Sequence, residues 1–349
     1  MVTAVSRHAG APRPAAPQQV SVLRSGQDDD VRVRPQQAPP ARVAGSVSVV
    51  VATRDRPAML RRALRSVLAQ EHPGTVEVTV VFDQGEPDPD LVGDLAGLTG
   101  PTRTLRTVVN DSRPGLAGAR NCGVRHSSGE FVAFCDDDDE WLPGKLVTQL
   151  AALAESPASW FCAGGFVVDF NGRVNERLAE PGAVTFEQLL RERNAALHPS
   201  TFLMRTERLR QLGEVDELLP GGYGEDYDLL LRAARTAPVL AVPGPLARVY
   251  WHSSSFFADR WRTIVEANEY LKAKHPEFAR EPAAVAWLDG KTAFALGAVG
   301  ERRRARRTAL TALRARPGQR QAWAALALST GLVKASWIQK AAQTVGKGV

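Results

Sequence analysis

The sequence predicts an α/β fold with a mostly parallel central sheet, followed by a helical region at the C-terminus. Between residues 46 and 135, short apolar β-branched runs alternate with segments of helical periodicity, which is the pattern of βα units. The chain has 349 residues, of which 44% are hydrophobic, enough for one large domain and an appendage. Beyond residue 260 the apolar spacing is helical throughout.

The first half alternates strand and helix regularly. Runs rich in valine and other β-branched residues predict strands, and apolar residues at helical spacing predict the segments between them. The predicted strands are 46–52, 76–82, 104–109 and 130–135, and the predicted helices are 58–70, a short one near Leu91, and 118–127. Such an alternation favours parallel pairing.

The second half is less regular. A hairpin over 160–169 and 173–177 is predicted to turn at Asn171-Gly172. The other predicted strands are 200–204, 239–242 and 247–251, and the predicted helices are 145–154, 186–191, 226–235, 261–275, 284–299, 301–315 and 321–332. We therefore divide the chain into a disordered leader (1–44, rich in Pro, Gln and Ala), a main α/β domain (45–258) and a helical extension (259–349).

Composition limits the compartment and the partners. The three cysteines have no metal-type spacing, and their odd number argues against a disulfide framework, so a reducing cytoplasm is expected. No apolar run reaches the ~18 residues of a membrane-spanning helix. The net charge of +6 is mild and does not require nucleic acid as a partner.

Four consecutive carboxylates, Asp136–Asp139, follow the apolar strand that ends at Cys135. Like charges at the end of a buried strand are costly unless a cation compensates them, and Mg²⁺ and Mn²⁺ prefer carboxylate oxygens. A solvated acidic turn is the alternative. A calcium loop of the EF-hand type is excluded, because its Gly and Glu positions hold Trp141 and Val147. The run therefore indicates a divalent-metal site beside a phosphorylated ligand.

Five ordered segments resemble the family-2 glycosyltransferases. They are Val47-Ser-Val-Val-Val-Ala-Thr-Arg-Asp-Arg-Pro57, Val80-Val-Phe-Asp83, Gly118-Ala-Arg-Asn-Cys-Gly123, Phe134-Cys-Asp-Asp-Asp-Asp-Glu-Trp141 and Gly224-Glu-Asp-Tyr-Asp228. The resemblance covers about residues 46 to 255. It implies a Rossmann-like GT-A catalytic domain and an inverting transfer of sugar from a nucleoside diphosphate. A UDP-sugar is the expected donor and Mn²⁺ or Mg²⁺ the expected cofactor, while the acceptor stays open.

The resemblance also implies roles for individual residues. Asp138 is the expected metal ligand with His252 as a second candidate, and Asp226 is the expected base, with Glu225 beside it. Relatives often carry two acids where this chain has Phe82-Asp83, so the identity of the donor's nucleobase stays open. The implied substrate-binding residues are Thr53, Arg54, Asp83, Arg120, Asn121, Asp136, Asp137 and His198.

Each assignment has a structural alternative. Asp226 and Glu225 suit a helix start, where acids act as caps or dipole partners. Asp83 would also suit a strand-end turn, and Arg54 would suit a solvated loop. His198 and His252 could be ordinary structural histidines.

Two other functions fit the sequence less well. A sugar-phosphate nucleotidyltransferase needs a Gly-rich phosphate loop after the first strand, and Ala52–Pro57 contains no Gly. A catalytically silent nucleotide-sugar-binding protein would be expected to lack the Glu225-Asp226 pair, which this chain retains.

The C-terminal region is rich in arginine, with eight arginines between residues 302 and 320 followed by Trp323 and Trp337. One interpretation is peripheral contact with an anionic membrane at its inner face. The other is a solvated helix face packed against the main domain, which the sequence alone favours.

Overall fold

The central sheet is built on four parallel strands that follow one another in the first half of the chain. A computed structural model describes residues 45–170, 172–191, 196–251 and 260–338. The strands β1 (Val47–Thr53), β2 (Val76–Phe82), β3 (Arg103–Val109) and β4 (Phe131–Asp136) lie in the order β3-β2-β1-β4, all parallel. Nearly every residue of β1, β2 and β4 is buried, as expected when helices cover both faces.

The sheet continues past β4 with mixed pairing. The further strands are β5 (Glu140–Trp141), β6 (Phe161–Phe170), β7 (Arg173–Arg177), β8 (Gly182–Val184), β9 (Leu203–Arg205) and β10 (Val239–Tyr250). The order after β4 is β9-β6-β10-β5, with β9 antiparallel to both neighbours and β10 parallel to β6. The edge strands β7 and β8 pair antiparallel with β6 and β10. The parallel pairing predicted for the first half is confirmed, and the second half is mixed.

Helices cover the two faces of the sheet. They are α1 (Pro57–Leu68), α2 (Leu91–Asp94), α3 (Leu116–Arg125), α4 (Lys145–Glu155), α5 (Phe186–Arg191), α6 (Thr206–Gln211), α7 (Glu225–Ala234), α8 (Trp261–Lys274), α9 (Pro282–Ala298), α10 (Arg302–Ala315) and α11 (Arg320–Ser329). One apolar core joins α1, α2 and α4 to the sheet, and the other joins α3, α7 and α8 to it. Gly123 in α3 lies directly on Val50 of β1, where a larger side chain would clash.

The last three helices share a core of small residues. Ala293 of α9, Ala309 and Ala312 of α10, and Ala322 and Ala325 of α11 are all buried in it. The described residues all belong to one compact unit. None of the helices in these ranges combines the length and apolarity needed to cross a bilayer.

Several local predictions need correction. The predicted strand 200–204 is instead a 3-10 turn over Pro199–Thr201 followed by the short β9. The two strands predicted between 239 and 251 form the single bulged strand β10, Val239–Tyr250. The hairpin of β6 and β7 is present, but Asn171 at its turn lies outside the described residues. The predicted leader, 1–44, also lies outside them. The predicted boundary at 258/259 falls in a segment, 252–259, that is not described, and it stays a prediction.

Candidate active site

The predicted site residues lie at the carboxyl ends of neighbouring parallel strands. Thr53 ends β1, Asp83 follows β2, and Asp136 ends β4, so all three meet at one edge of the sheet. This edge is where open α/β sheets bind ligands. Two non-glycine residues just beyond the strands adopt left-handed backbone conformations, Asp55 (φ 55°) and Gln84 (φ 58°). Such strain concentrates at functional sites, because the surrounding structure must hold it in place.

Asp83 is held ionised by a set of donors. Its carboxylate accepts hydrogen bonds from Asn110 Nδ2 (2.8 Å), Gln84 Nε2 (2.9 Å) and the Gly115 backbone N–H (3.1 Å). Burial opposes ionisation, but these bonds bring the pKa of Asp83 below its ordinary value. Arg54, another of the predicted substrate-binding residues, is more than half exposed and lies beside Asp55. The acid predicted to contact the nucleoside is therefore pre-positioned and negatively charged.

The acid run, Asp136–Asp139, makes hydrogen bonds and ion pairs with the end of β1 and the loop after it. Thr53 Oγ1 donates to Asp137 Oδ2 at 2.7 Å, and Arg56 lies 3.1 Å from Asp137 and 2.6 Å from Asp138. Burial and the neighbouring charge of Asp136 raise the pKa of Asp138 to about 6. A single half-exposed arginine does not neutralise these carboxylates, so a cation beside them would be stabilised.

A second arrangement brings three metal-type ligands together. One ligand atom each from Asp136, Asp139 and His198 lies within 4.8 Å of the others, a spacing that could hold a metal ion. Ser200 Oγ donates to Asp139 at 2.5 Å, and His198 Nδ1 lies 3.5 Å from the same carboxylate. Burial and the charge of Asp136 raise the pKa of Asp139 well above its ordinary value. Oxygen and imidazole donors of this kind suit Mn²⁺ or Mg²⁺.

Arg120 joins the acid run to the start of α7. Its fully buried guanidinium donates to Asp136 Oδ1 at 2.6 Å and to Glu225 Oε1 at 2.5 Å. Although burial opposes ionisation, Arg120 brings the pKa of Asp136 below its ordinary value. Asn121 beside it is used differently: its amide bonds the backbone of Val215 (2.8 Å) and Glu217 Oε1 (2.7 Å). These contacts favour a role for Asn121 in holding the loop that contains Val215 and Glu217.

Glu225 and Asp226 are the first two residues of α7, both nearly buried. The N-cap position is Gly224 (φ 84°), and no side chain caps the helix there. Both acids nevertheless sit where the helix dipole favours negative charge. Burial, with the charges of Asp226 and Asp136, raises the pKa of Glu225 to about 7 against the opposing effect of Arg120. Asp226 therefore occupies the second position of α7 and not its N-cap, and a role as a dipole partner remains the alternative to catalysis.

The decisive comparison is with protein families. Residues 48–213 match the model described as glycosyl transferase family 2. Residues 48–213 of this chain are therefore similar to the family 2 glycosyltransferases. The match includes the strand-end acids and His198, and it ends before Glu225 and Asp226.

Two similar proteins are named as glucosyltransferases. The Escherichia coli UDP-Glc:alpha-D-GlcNAc-diphosphoundecaprenol beta-1,3-glucosyltransferase WfgD is 31% identical over 138 residues, 40% of this chain and 51% of WfgD. A Campylobacter jejuni GalNAc(5)-diNAcBac-PP-undecaprenol beta-1,3-glucosyltransferase is 28% identical over 159 residues, 45% of this chain and 47% of that protein. The matched stretches cover only 24%, 51% and 33% of the first three curated relatives.

The fold has solved counterparts. The structure of a mannosyltransferase from Pyrobaculum calidifontis, in complex with GDP-Man and Mn²⁺, superposes with a TM-score of 0.54. It is 20% identical, and the alignment covers 88% of this chain and 82% of that one. Together with the match to the family model, this structural likeness confirms the predicted GT-A type of α/β fold with additional C-terminal helices.

Three residues of this site are not indicated by the sequence pattern. Arg56 and Ser200 have no role predicted from the sequence, yet Arg56 pairs with Asp138, and Ser200 bonds both Asp136 and Asp139. Asp139 was the one carboxylate of the four left unassigned, although it adjoins the other three. His252 lies outside the described residues, so its predicted metal role stays a prediction. A cavity of about 590 Å³ lies beside Asn121, Asp216 and Tyr270, and its lining includes none of the predicted catalytic or metal-binding acids.

Proposed function

We propose that this chain transfers a sugar from a nucleoside diphosphate to a hydroxyl of a lipid-linked glycan, with inversion at the anomeric carbon. A UDP-sugar is the first donor to test. One observation carries the proposal: in a chain that matches the family 2 model, Arg120 joins the strand-end acids to the Glu225-Asp226 pair. Donor-binding and acceptor-activating groups would thus share one electrostatic cluster.

The acceptor class is suggested by the relatives. The two described above are both named for a diphosphoundecaprenol-linked sugar, and one is named for UDP-Glc as donor. Because each alignment covers about half of the relative, the substrates are a proposal for this chain and are tested directly below.

The chemistry is a single displacement. An acceptor hydroxyl is a weak nucleophile, and it needs a carboxylate within hydrogen-bond reach during attack. Asp226 would take the hydroxyl proton as the new oxygen–carbon bond forms and the bond from the anomeric carbon to the β-phosphate oxygen breaks. The nucleoside diphosphate leaves on the opposite side, so the configuration inverts.

Other residues hold the reactants. Asp83, fixed by three donors, would accept a hydrogen bond from the nucleoside, and Thr53 with Asp137 would line the same edge. Arg120 would keep Glu225 close to Asp136, so that Asp226 stays facing the reacting carbon. Such preorganised groups cost no rearrangement at the moment of reaction.

A divalent metal fits the donor set of the site. The excess of carboxylates over cations, together with the raised pKa of Asp138, indicates that positive charge would be bound there. When bound, the ion would act as a Lewis acid on the diphosphate oxygens. We propose Asp138 as the ligand, with Asp136, Asp139 and His198 forming the neighbouring set.

The function is tested in two steps. Thermal shift with UDP-, GDP- and dTDP-sugars, each with and without Mn²⁺, identifies the donor. Release of nucleoside diphosphate is then measured with an undecaprenyl-diphosphate-linked sugar as acceptor. Donor binding without any acceptor-stimulated release would instead favour a silent nucleotide-sugar-binding protein.

The metal assignment makes a prediction of its own. The Asp138→Ala variant should bind the donor sugar nucleotide at least roughly 10-fold more weakly in Mn²⁺, because a direct ligand matters no less than the outer groups that orient it. Calorimetry with and without Mn²⁺ measures this effect. Asp90→Ala, which removes an exposed carboxylate away from the run, is the matched control.

The Asp139→Asn variant separates the two ligand sets. If Asp138 holds the ion, the Asn variant keeps most of the metal dependence. A variant of Asp138 that retains full Mn²⁺ dependence, while Asp139→Asn loses it, would move the ion to the set of Asp136, Asp139 and His198.

A further inference from the structure

The C-terminal helices carry a strongly basic surface. Residues 302–338 contain eight arginines, one lysine and no acidic residue, whereas the whole chain has 44 basic and 38 acidic residues. The rest of the chain therefore carries a net negative charge. Among the described residues, Arg304 is the only one of these arginines within ion-pair distance of a carboxylate, at 2.6 Å from Glu301 and 2.9 Å from Glu269.

The basic residues of α10 form a face that points away from its core. Arg303, Arg307, Leu310 and Arg314 recur at positions i, i+4, i+7 and i+11, which places them on one side of the helix. All four are exposed, and the buried residues of the helix are alanines and Leu313 on the other side. An apolar leucine thus sits within a stripe of arginines.

This arrangement works against the stability of the helix. Arg302, Arg303 and Arg304 occupy the first turn of α10, where the helix dipole disfavours positive charge, and no acid lies in that turn. Arg306 and Arg307 follow at once, so like charges crowd within two turns. Such unfavourable helix electrostatics are expected at functional surfaces.

Exposed apolar side chains lie at the same end of the bundle. The Arg302 guanidinium lies against Gly331, so the start of α10 adjoins the chain just after α11. Leu332 is 83% exposed and Trp337 is 58% exposed. Arginine beside exposed Leu and Trp is the composition of segments that lie on an anionic lipid surface, where basic groups meet headgroups and Trp enters the interface.

We propose that the surface formed by α10 and residues 331–337 docks on an anionic phospholipid membrane. Its position suits that partner. Ala305 of α10 packs in the same small core as Tyr223, which directly precedes Gly224 and the acid pair of α7. Docking would therefore fix the acceptor side of the site relative to the membrane. The inference stands on charge and exposure, and its link to a lipid-borne acceptor rests on the proposed function.

The test is vesicle sedimentation of the full-length protein without donor or acceptor, so it is independent of sugar transfer. Wild type should pellet with vesicles of phosphatidylcholine plus phosphatidylglycerol, fail to pellet with phosphatidylcholine alone, and be released as salt rises. The triple variant R303Q/R307Q/R314Q should partition on the order of 100-fold more weakly, since each basic side chain near such a surface contributes about a factor of five.

A matched variant controls for charge alone. R65Q/R173Q/R208Q makes the same charge change at exposed arginines elsewhere and should bind vesicles as wild type does. A second variant, Leu310→Gln, should weaken the binding at low salt and leave its salt dependence unchanged, because it removes an apolar contact and no charge. Equal recovery with neutral and anionic vesicles, or equal loss in both triple variants, would overturn the proposal. Binding to RNA of random sequence without binding to anionic vesicles would also overturn it.

Discussion

The Asp226→Asn variant should bind the donor as wild type does and transfer sugar roughly 10²–10⁴-fold more slowly, the usual contribution of a positioned base. The amide keeps the shape of the carboxylate and removes its ability to take a proton. Asp226 is nearly buried at the second position of α7, so little space is left for a substitute base. Calorimetry measures donor affinity, and nucleoside diphosphate release with acceptor measures transfer.

The neighbouring acid provides the comparison. Glu225 Oε1 accepts from Arg120 at 2.5 Å, so Glu225→Gln should lower stability and leave more transfer than the Asp226 variant does. If Asp226 acted only through the helix dipole, its Asn variant would lose a few tenths to 1 kcal/mol of stability at most and keep near-normal turnover. That outcome would refute the catalytic role, and a larger loss in Glu225→Gln would transfer the role to Glu225.

Much of the fold was predictable because its first half is regular. Strands such as Val76–Phe82 are apolar on both faces, and the helices between them keep a clear period, so these elements match to within about two residues. The short elements β5, β8 and α6 were missed because two to six residues cannot show a period. Around Gly244 (φ 77°) a register shift lets one strand continue where the sequence predicted a break.

The site was predictable only where its residues follow one another. Asp136–Asp139 stand together in the chain, so their mutual repulsion was visible without a structure. The ion pair between Arg120 and Glu225 joins residues 105 positions apart, and the hydrogen bond from Ser200 to Asp139 joins residues 61 apart. No local pattern encodes such pairs. They arise because parallel strands and α7 bring distant segments to the same edge.

The other large effect concerns stability and a buried charge network behind the site. Asp228, two residues after the proposed base, has a fully buried carboxylate. It lies 2.7 Å from Arg232 Nε, 2.8 Å from Lys274 Nζ and 2.8 Å from His275 Nε2, and thus ties α7 to the end of α8. Burial opposes its ionisation, but His275, Arg232 and Lys274 hold its pKa well below the ordinary 3.8.

The Asp228→Asn variant should therefore lose about 3–5 kcal/mol of unfolding free energy at neutral pH, because it removes the buried carboxylate that pairs with Arg232 and leaves Lys274 paired with Asp216 alone. A depressed pKa in the folded state means that this stabilisation is complete above about pH 4 and disappears as pH falls further. Urea denaturation at several pH values measures both, and the difference between wild type and variant should shrink below about pH 4. Asp94→Asn, which breaks an exposed pair with Arg61, should cost no more than about 1 kcal/mol. An Asp228 variant as stable as that control would show that α7 and α8 are held together by apolar packing alone.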